Sequence, residues 1–489
     1  MSNVDHQSSS VHWAEACALF YLVAPVLLFF ALFVRWLVAV PALFLIVAST
    51  VQLGRRTDWV TIYRVAPKTV FVFATAAVWL WLAGSLGGLR QNADWVKHYA
   101  LINYLATHRW PALIHVDGLD GEWAVRYSLG FYLAPALILK HTSVHAQQMV
   151  TGLWSLVGIF LFFRILLELV PGKRATFIAP IVFIFFSGAD IIGRAITHFQ
   201  VHLIYHIEWW AGWAQYESNT TALFWAPQHA IPVWLGVAIV LMQFKRPSML
   251  PHLALLFSAI CFWSPFAAIG LAPYGLLLVW KRGAHAIAFN WFAILTISFI
   301  ALPIALYLST DAAQITHGFI NTVANRCVWL DGPCFTWPSY LMFTILEFAV
   351  VTIVLIIPMQ KYRSVLVTTL LSLLLIPLYK VGAYNDFSMR VSMPGLAVLA
   401  ILAGELISSG PHIVAAIMTA LLAFGAPTPI GEMARQFTDT AGVDTESNLQ
   451  RSLNDHPEVL PQYFARLPLS ILRIPSADPA VSMRTPKND

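Results

Sequence analysis

Gly88-Leu-Arg-Gln-Asn-Ala-Asp-Trp-Val-Lys-His-Tyr-Ala-Leu-Ile-Asn-Tyr-Leu105 follows a strongly apolar run and opens a helix just beyond it. Asp94, Lys97 and His98 fall within one helical turn of that stretch. Asp94 reads as the N-cap of a helix beginning at Trp95, because its carboxylate can accept from the unpaired N–H groups of the first turn. Trp95, Tyr99, Ile102 and Ala106 recur at helical spacing, a stripe suited to lying on a bilayer surface. An acid, a cation and an imidazole at that depth can act on a lipid headgroup. The rest of the chain is therefore read for groups that converge on them.

The membrane setting comes from composition. Of 489 residues, 58% are hydrophobic and 11% charged, where a soluble domain carries roughly 25% charged residues. The fold class is an all-α integral membrane protein. Its 19 Trp and 15 Tyr suit the aromatic belts of many spans, and nothing points to nucleic acid as a partner. Met1 to Ser10 has no basic n-region before a cleavage site, so no cleaved signal peptide is expected. Four Cys are too few for a disulfide scaffold, but Cys327 and Cys334 share one polar loop and can close a short staple.

Apolar runs near the required length of about 20 residues predict about thirteen spans. Residues 1–68 form a cytoplasmic segment and a transmembrane hairpin, and 69–425 form the core. Outer loops lie at 89–145, 187–229, 309–339 and 382–393, with interfacial helices in the first. Residues 426–489 make an extracytoplasmic tail. Basic turns at Arg55-Arg56, Lys173-Arg174, Lys245-Arg246, Lys281-Arg282 and Lys361 with Arg363 alternate with the outer loops. The positive-inside rule then places the N-terminus in the cytoplasm of a cell's inner (plasma) membrane, and Asp94 outside.

Several outer residues can carry chemistry. Asp94 can act as a general base if a substrate hydroxyl comes within hydrogen-bond reach. Asp190 emerges from a short span in Ser187-Gly-Ala-Asp-Ile-Ile-Gly-Arg194. It either pairs locally with Arg194 or contributes to a site that Gly188 and Gly193 let a substrate or helix approach. His202 and His206, with Glu208 nearby, can hold a divalent ion, although they match no sharp metal signature. His229 closes the run Trp225-Ala-Pro-Gln-His229. Arg390, in Asn385-Asp-Phe-Ser-Met-Arg390, either snorkels to the headgroups or forks onto a phosphate. Lys97, His98, Arg194 and Arg390 share the outer side and together can neutralise a phosphate.

This pattern resembles the multi-spanning glycosyltransferases of the C-type fold (GT-C). The residues that carry the resemblance are Asp94-Trp-Val-Lys-His98, Ser187-Gly-Ala-Asp-Ile-Ile-Gly193, Glu208-Trp-Trp210, Trp225-Ala-Pro-Gln-His229 and Asp386-Phe-Ser-Met-Arg390. The chain departs from that pattern in having two spans ahead of the organising stretch, no Asp-x-Asp in the first loop and no large C-terminal domain. The resemblance implies transfer of a sugar from a polyprenyl-phosphate-linked donor to a glycan, lipid or protein acceptor. In that scheme Asp94 is the catalytic base and Asp190 the second acid. Lys97, His98, Arg194, Glu208, His229 and Arg390 surround the donor phosphate, with no cofactor required beyond a possible divalent metal. Two other classes stay open: a transporter or lipid flippase, which calls for ionisable residues buried at midspan, and a non-enzymatic scaffold of a polysaccharide machine.

Overall fold

A computed structural model of the chain describes residues 10–60, 67–114, 123–170, 172–199, 206–287, 290–323, 327, 332–438, 463–466 and 471–473. Among them, 10 helices are long and apolar enough to cross a membrane, with the shorter apolar helices Pro67–Leu82 and Leu250–Trp263 beside them. The protein is an all-α, multi-pass membrane protein in which short strand pairs only tie loops together.

In chain order the helices that position the site are α1 (Trp13–Leu32), α2 (Trp36–Arg56), α3 (Pro67–Leu82), α4 (Asp94–Thr107), α5 (Leu133–Lys140), α6 (Gln147–Leu169), α7 (Ala175–Phe185), α8 (Asp190–His198), α9 (Asn219–Trp225), α10 (Pro227–Lys245), α11 (Leu253–Trp263) and α12 (Pro265–Arg282). The helix α3 stops six residues before the predicted span end at 88. There Gly84, Gly87 and Gly88 adopt φ of +73°, +86° and +84°, a region only glycine enters without strain.

Two helices form the centre of the bundle. Helix α10 and the segment Asp386–Ser409 are almost wholly buried, whereas α2 is mostly open to the surroundings. Lipid tails are as apolar as leucine, so close backbone approach rather than hydrophobicity must hold such helices together. Small residues provide it: a Cβ on Gly404 would lie 3.2 Å from Ala179 on α7, and one on Gly236 of α10 would lie 2.5 Å from Ile260 on α11. The outer helices present Trp36, Phe44, Trp291 and Ile413 to the surroundings, as lipid-facing surfaces should.

The bundle has two chemically distinct ends. At one, Val11–His12 pairs with Thr57–Asp58, and Arg246, Arg282 and Lys361 bond to Glu15, the Phe244 carbonyl and Glu405. At the other, Leu113–Ile114, Trp123–Val125 and Phe464–Ala465 form a small three-stranded antiparallel sheet. The C-terminal segment also meets Arg35 and Asp311 there, so its described parts share the end that carries Asp94. The third loop is tied by a Cys327–Cys334 disulfide with Cα atoms 4.5 Å apart. It docks backbone to backbone on the second loop, since a Cβ on Gly332 would lie 2.3 Å from Gly212 N.

Candidate functional site

The position of α4 is set by a helix break. Pro227 at the start of α10 ends α9 at Trp225, leaving terminal carbonyls that need donors from elsewhere. The α4 region supplies them. Asn92 Nδ2 and Trp95 Nε1 donate to the Phe224 carbonyl at 2.7 and 2.9 Å, and His98 Nε2 meets the Trp225 carbonyl at 3.1 Å. A carbonyl only accepts, so His98 carries its proton on Nε2 and its Nδ1 accepts from Tyr132 Oη at 2.8 Å. Burial, then Lys97, lowers the His98 pKa to about 4. It is a neutral, fully engaged strut rather than the phosphate-binding cation expected from the sequence.

Asp94 also differs from its expected role. Its side chain caps nothing; Ala93 occupies the N-cap position, and Asn92 Oδ1 accepts from the Asp94 N–H at 3.1 Å. The Asp94 carboxylate instead pairs with Lys97 Nζ at 3.1 Å. The stripe of Trp95, Tyr99, Ile102 and Ala106 faces the protein, each residue being buried. An apolar stripe in a membrane protein suits either neighbour, and the three carbonyl anchors decide it for protein.

With α4 fixed, charges from three segments converge. Arg390 Nη1 donates to both oxygens of Glu217, at 2.6 and 2.5 Å, and both side chains are buried. Asp386 and Asp94 act electrostatically on the same guanidinium. The ring of Tyr463 lies under Lys97 Nζ at 5.7 Å and stacks 4.6 Å from Tyr127. Tyr127 in turn accepts from Gln228 at 3.0 Å and meets His229 Nε2 at 3.4 Å, while His229 Nδ1 bonds Ser264 at 2.6 Å. His229 is thus a support for Tyr127, buried and bonded at both nitrogens.

The result is a cluster of charges bordered by the rings of Tyr127, Tyr132 and Tyr463. In it Asp94 and Lys97 keep 33% and 31% of their side-chain surface open. Burial pushes the Asp94 carboxyl up, but the charge and hydrogen bond of Lys97 outweigh it and hold it below its ordinary value. Lys97 is raised despite burial, chiefly by Asp94. Burial pushes the Glu217 carboxyl up against the pull of Arg390. Asp94 is therefore ionised and accessible, within electrostatic reach of a buried guanidinium that Glu217 holds in place.

Asp190 lies elsewhere. It is fully buried, accepting from Ser187 at 2.7 Å and Thr428 at 2.8 Å, and the neighbouring Ala189 N–H donates to the Leu346 carbonyl, which brings Glu347 close. Glu347 sits in a π-helical turn, Ile345–Ala349, and receives Trp210 Nε1 at 2.9 Å. Gly188 makes room for it, since a Cβ there would lie 2.1 Å from Glu347 Oε2; Gly193 does the same for the Trp210 ring at 2.3 Å. Both glycines accommodate neighbouring side chains. Arg194 meets His198 at 3.1 Å one turn on, not Asp190.

Glu208 is a tie for the second loop. It accepts from Gln215, the Ser218 N–H and Thr221 at 2.7 to 2.8 Å, and burial with Asp190 and Glu217 nearby pushes its carboxyl up to about 8. Those donors leave it no role beside His206, which pairs with Glu432 at 3.0 Å between the rings of Trp209 and Trp225. His202 lies outside the described residues. Among the described residues no three His, Cys, Asp or Glu side chains gather as metal ligands.

The sequence reading missed Glu217, Tyr127 and Tyr463, and assigned Asp386 no role. Comparison with protein-family models, with curated proteins and with solved structures returns no match to this chain.

Proposed function

We propose that this protein is a membrane glycosyltransferase that moves a sugar from a polyprenyl-phosphate-linked donor to an acceptor hydroxyl, on the extracytoplasmic face. The supporting observation is the accessible, ionised Asp94 paired with Lys97, with Arg390 in electrostatic reach of it. In this reading the acceptor O–H gives its proton to Asp94 and its oxygen bonds to the anomeric carbon. The bond from that carbon to the phosphate oxygen breaks, and the lipid phosphate leaves as an anion. Lys97 and Arg390 balance that charge, each already oriented by a carboxylate, so little reorganisation is needed at the moment of reaction. The tyrosines supply flat faces and hydroxyls for a sugar ring. Asp190 is left out of the chemistry, and Glu217 and Asp386 take the place of the second acid as holders of Arg390.

A transporter is the second reading, favoured by the Asp190–Glu347 pair, since acids buried within spans mark ion pathways in such proteins. The full chain in proteoliposomes loaded with a polyprenyl-phosphate-linked sugar separates the two. Transfer releases polyprenyl phosphate and leaves the sugar on the acceptor. Movement of intact donor between leaflets without release would overturn the transferase reading in favour of the transporter.

A further inference from the structure

At the opposite end of the bundle from Asp94, an open groove of about 520 Å³ runs between the end of α12 and the helix Arg363–Leu375. Leu277 and Val367 line its wall, and Lys281, Lys361 and Arg363 stand at its rim beside Trp280. Trp280 is 79% exposed, and next to it Leu276 and Leu371 face outward as part of the apolar belt. The groove is therefore continuous with the lipid-facing surface at the level where helices end.

Its charges are unbalanced. Lys361 pairs with Glu405 at 2.5 Å, while Lys281 donates to the hydroxyl of Ser364 and lies 5.7 Å over the Phe244 ring, with no carboxylate partner among the described residues. Arg363 has no ion pair among the described residues. Three cations against one carboxylate leave a net positive rim around an apolar wall. A guanidinium and an ammonium on either side of a gap suit a phosphate, the arginine by its planar fork and the lysine as a point charge. The exposed indole suits the headgroup level of a bilayer, and basic pockets between membrane helices are known sites for anionic headgroups.

We propose that this groove binds one anionic phospholipid. Its phosphate lies between Lys281 and Arg363, and the upper part of an acyl chain lies along Leu277, Val367 and the Trp280 ring. The apolar wall sets this ligand apart from a soluble anion, which would make no use of it. The site is independent of the outer cluster and of the reaction assigned to it.

Native mass spectrometry of the full chain, titrated separately with phosphatidylglycerol, phosphatidylcholine and glycerol phosphate, tests this. The wild type should retain phosphatidylglycerol in preference to the other two. K281Q with R363Q should weaken that retention by about tenfold or more. Both side chains are exposed, so the fold should be unaffected. A control double variant at the same end, R55Q with K173Q, should retain phosphatidylglycerol as the wild type does. Equal retention of phosphatidylcholine would overturn the proposal. So would displacement by glycerol phosphate at matched concentration, or an equal loss in the control variant.

Discussion

Asp94→Asn should lower glycosyl transfer by about a hundredfold or more, the usual scale of a lost general base, while leaving the fold intact. The structure separates the two effects. The first turn of α4 is held by Asn92, Trp95 and His98 on the Phe224 and Trp225 carbonyls, not by Asp94. The ion pair to Lys97 is about one-third open, and such pairs contribute about 1 kcal/mol or less. Asn92→Ala should show the reverse pattern. It removes a turn-closing acceptor and a buried donor, costing about 1–3 kcal/mol, with activity falling only as far as α4 shifts. Thermal unfolding in detergent, read beside transfer from a lipid-linked sugar, distinguishes them. Wild-type transfer by Asp94→Asn would remove the base from the mechanism.

Arg390→Ala should damage both stability and activity. It leaves Glu217 buried without its guanidinium, and breaking one side of a buried pair costs about 3–5 kcal/mol. The double variant Glu217→Leu with Arg390→Met removes both charges and replaces them with apolar groups of similar size, which is often neutral for folding. Stability should largely return in the double variant, while transfer stays lost because the phosphate-facing cation is gone. Recovery of transfer together with stability would make Arg390 a structural residue only. Arg390→Lys gives a finer reading: both contacts to Glu217 come from Nη1 alone, so an ammonium can replace them, while the planar fork's remaining donors are lost.

Much of this architecture is legible in the sequence because membrane spans announce themselves by length and apolarity. The helices α11 and α12 meet at Ser264, which caps α12 by accepting from the Ala267 N–H. Together they form a hairpin whose turn reaches His229. The direction in which an amphipathic stripe faces is not legible, since lipid and protein interior are equally apolar. That is why the Trp95–Tyr99 face reads as bilayer-bound and proves buried. Nor can sequence choose between Asn92 and Asp94 as the turn-former, two residues with the same capping chemistry.

The site was half visible. Asp94, Lys97 and Arg390 stand out as charges beside apolar runs. Glu217 does not, because its partner is 173 residues away and only the fold brings them together. The one local signal is an acid directly before Ser218, the residue that caps α9. Tyr463 comes from a segment beyond the last span and reaches the cluster only through the small sheet at that end. Asp190 drew attention because an acid beside an apolar run is costly. Its cost is met by hydrogen bonds from Ser187 and from Thr428, 238 residues away, which no local sequence pattern would propose.

The central claim is that the charge cluster between α4 and Arg390 is where a lipid-linked sugar is held. It is tested most directly by photolabelling with a polyprenyl-phosphate donor analogue whose reactive group sits on the sugar, followed by peptide mapping of the full chain. Label should fall on peptides containing Asp94–Lys97, Tyr127 or Asp386–Arg390, and unlabelled donor should compete it away. Label confined to other segments, or label that excess donor does not displace, would contradict the account.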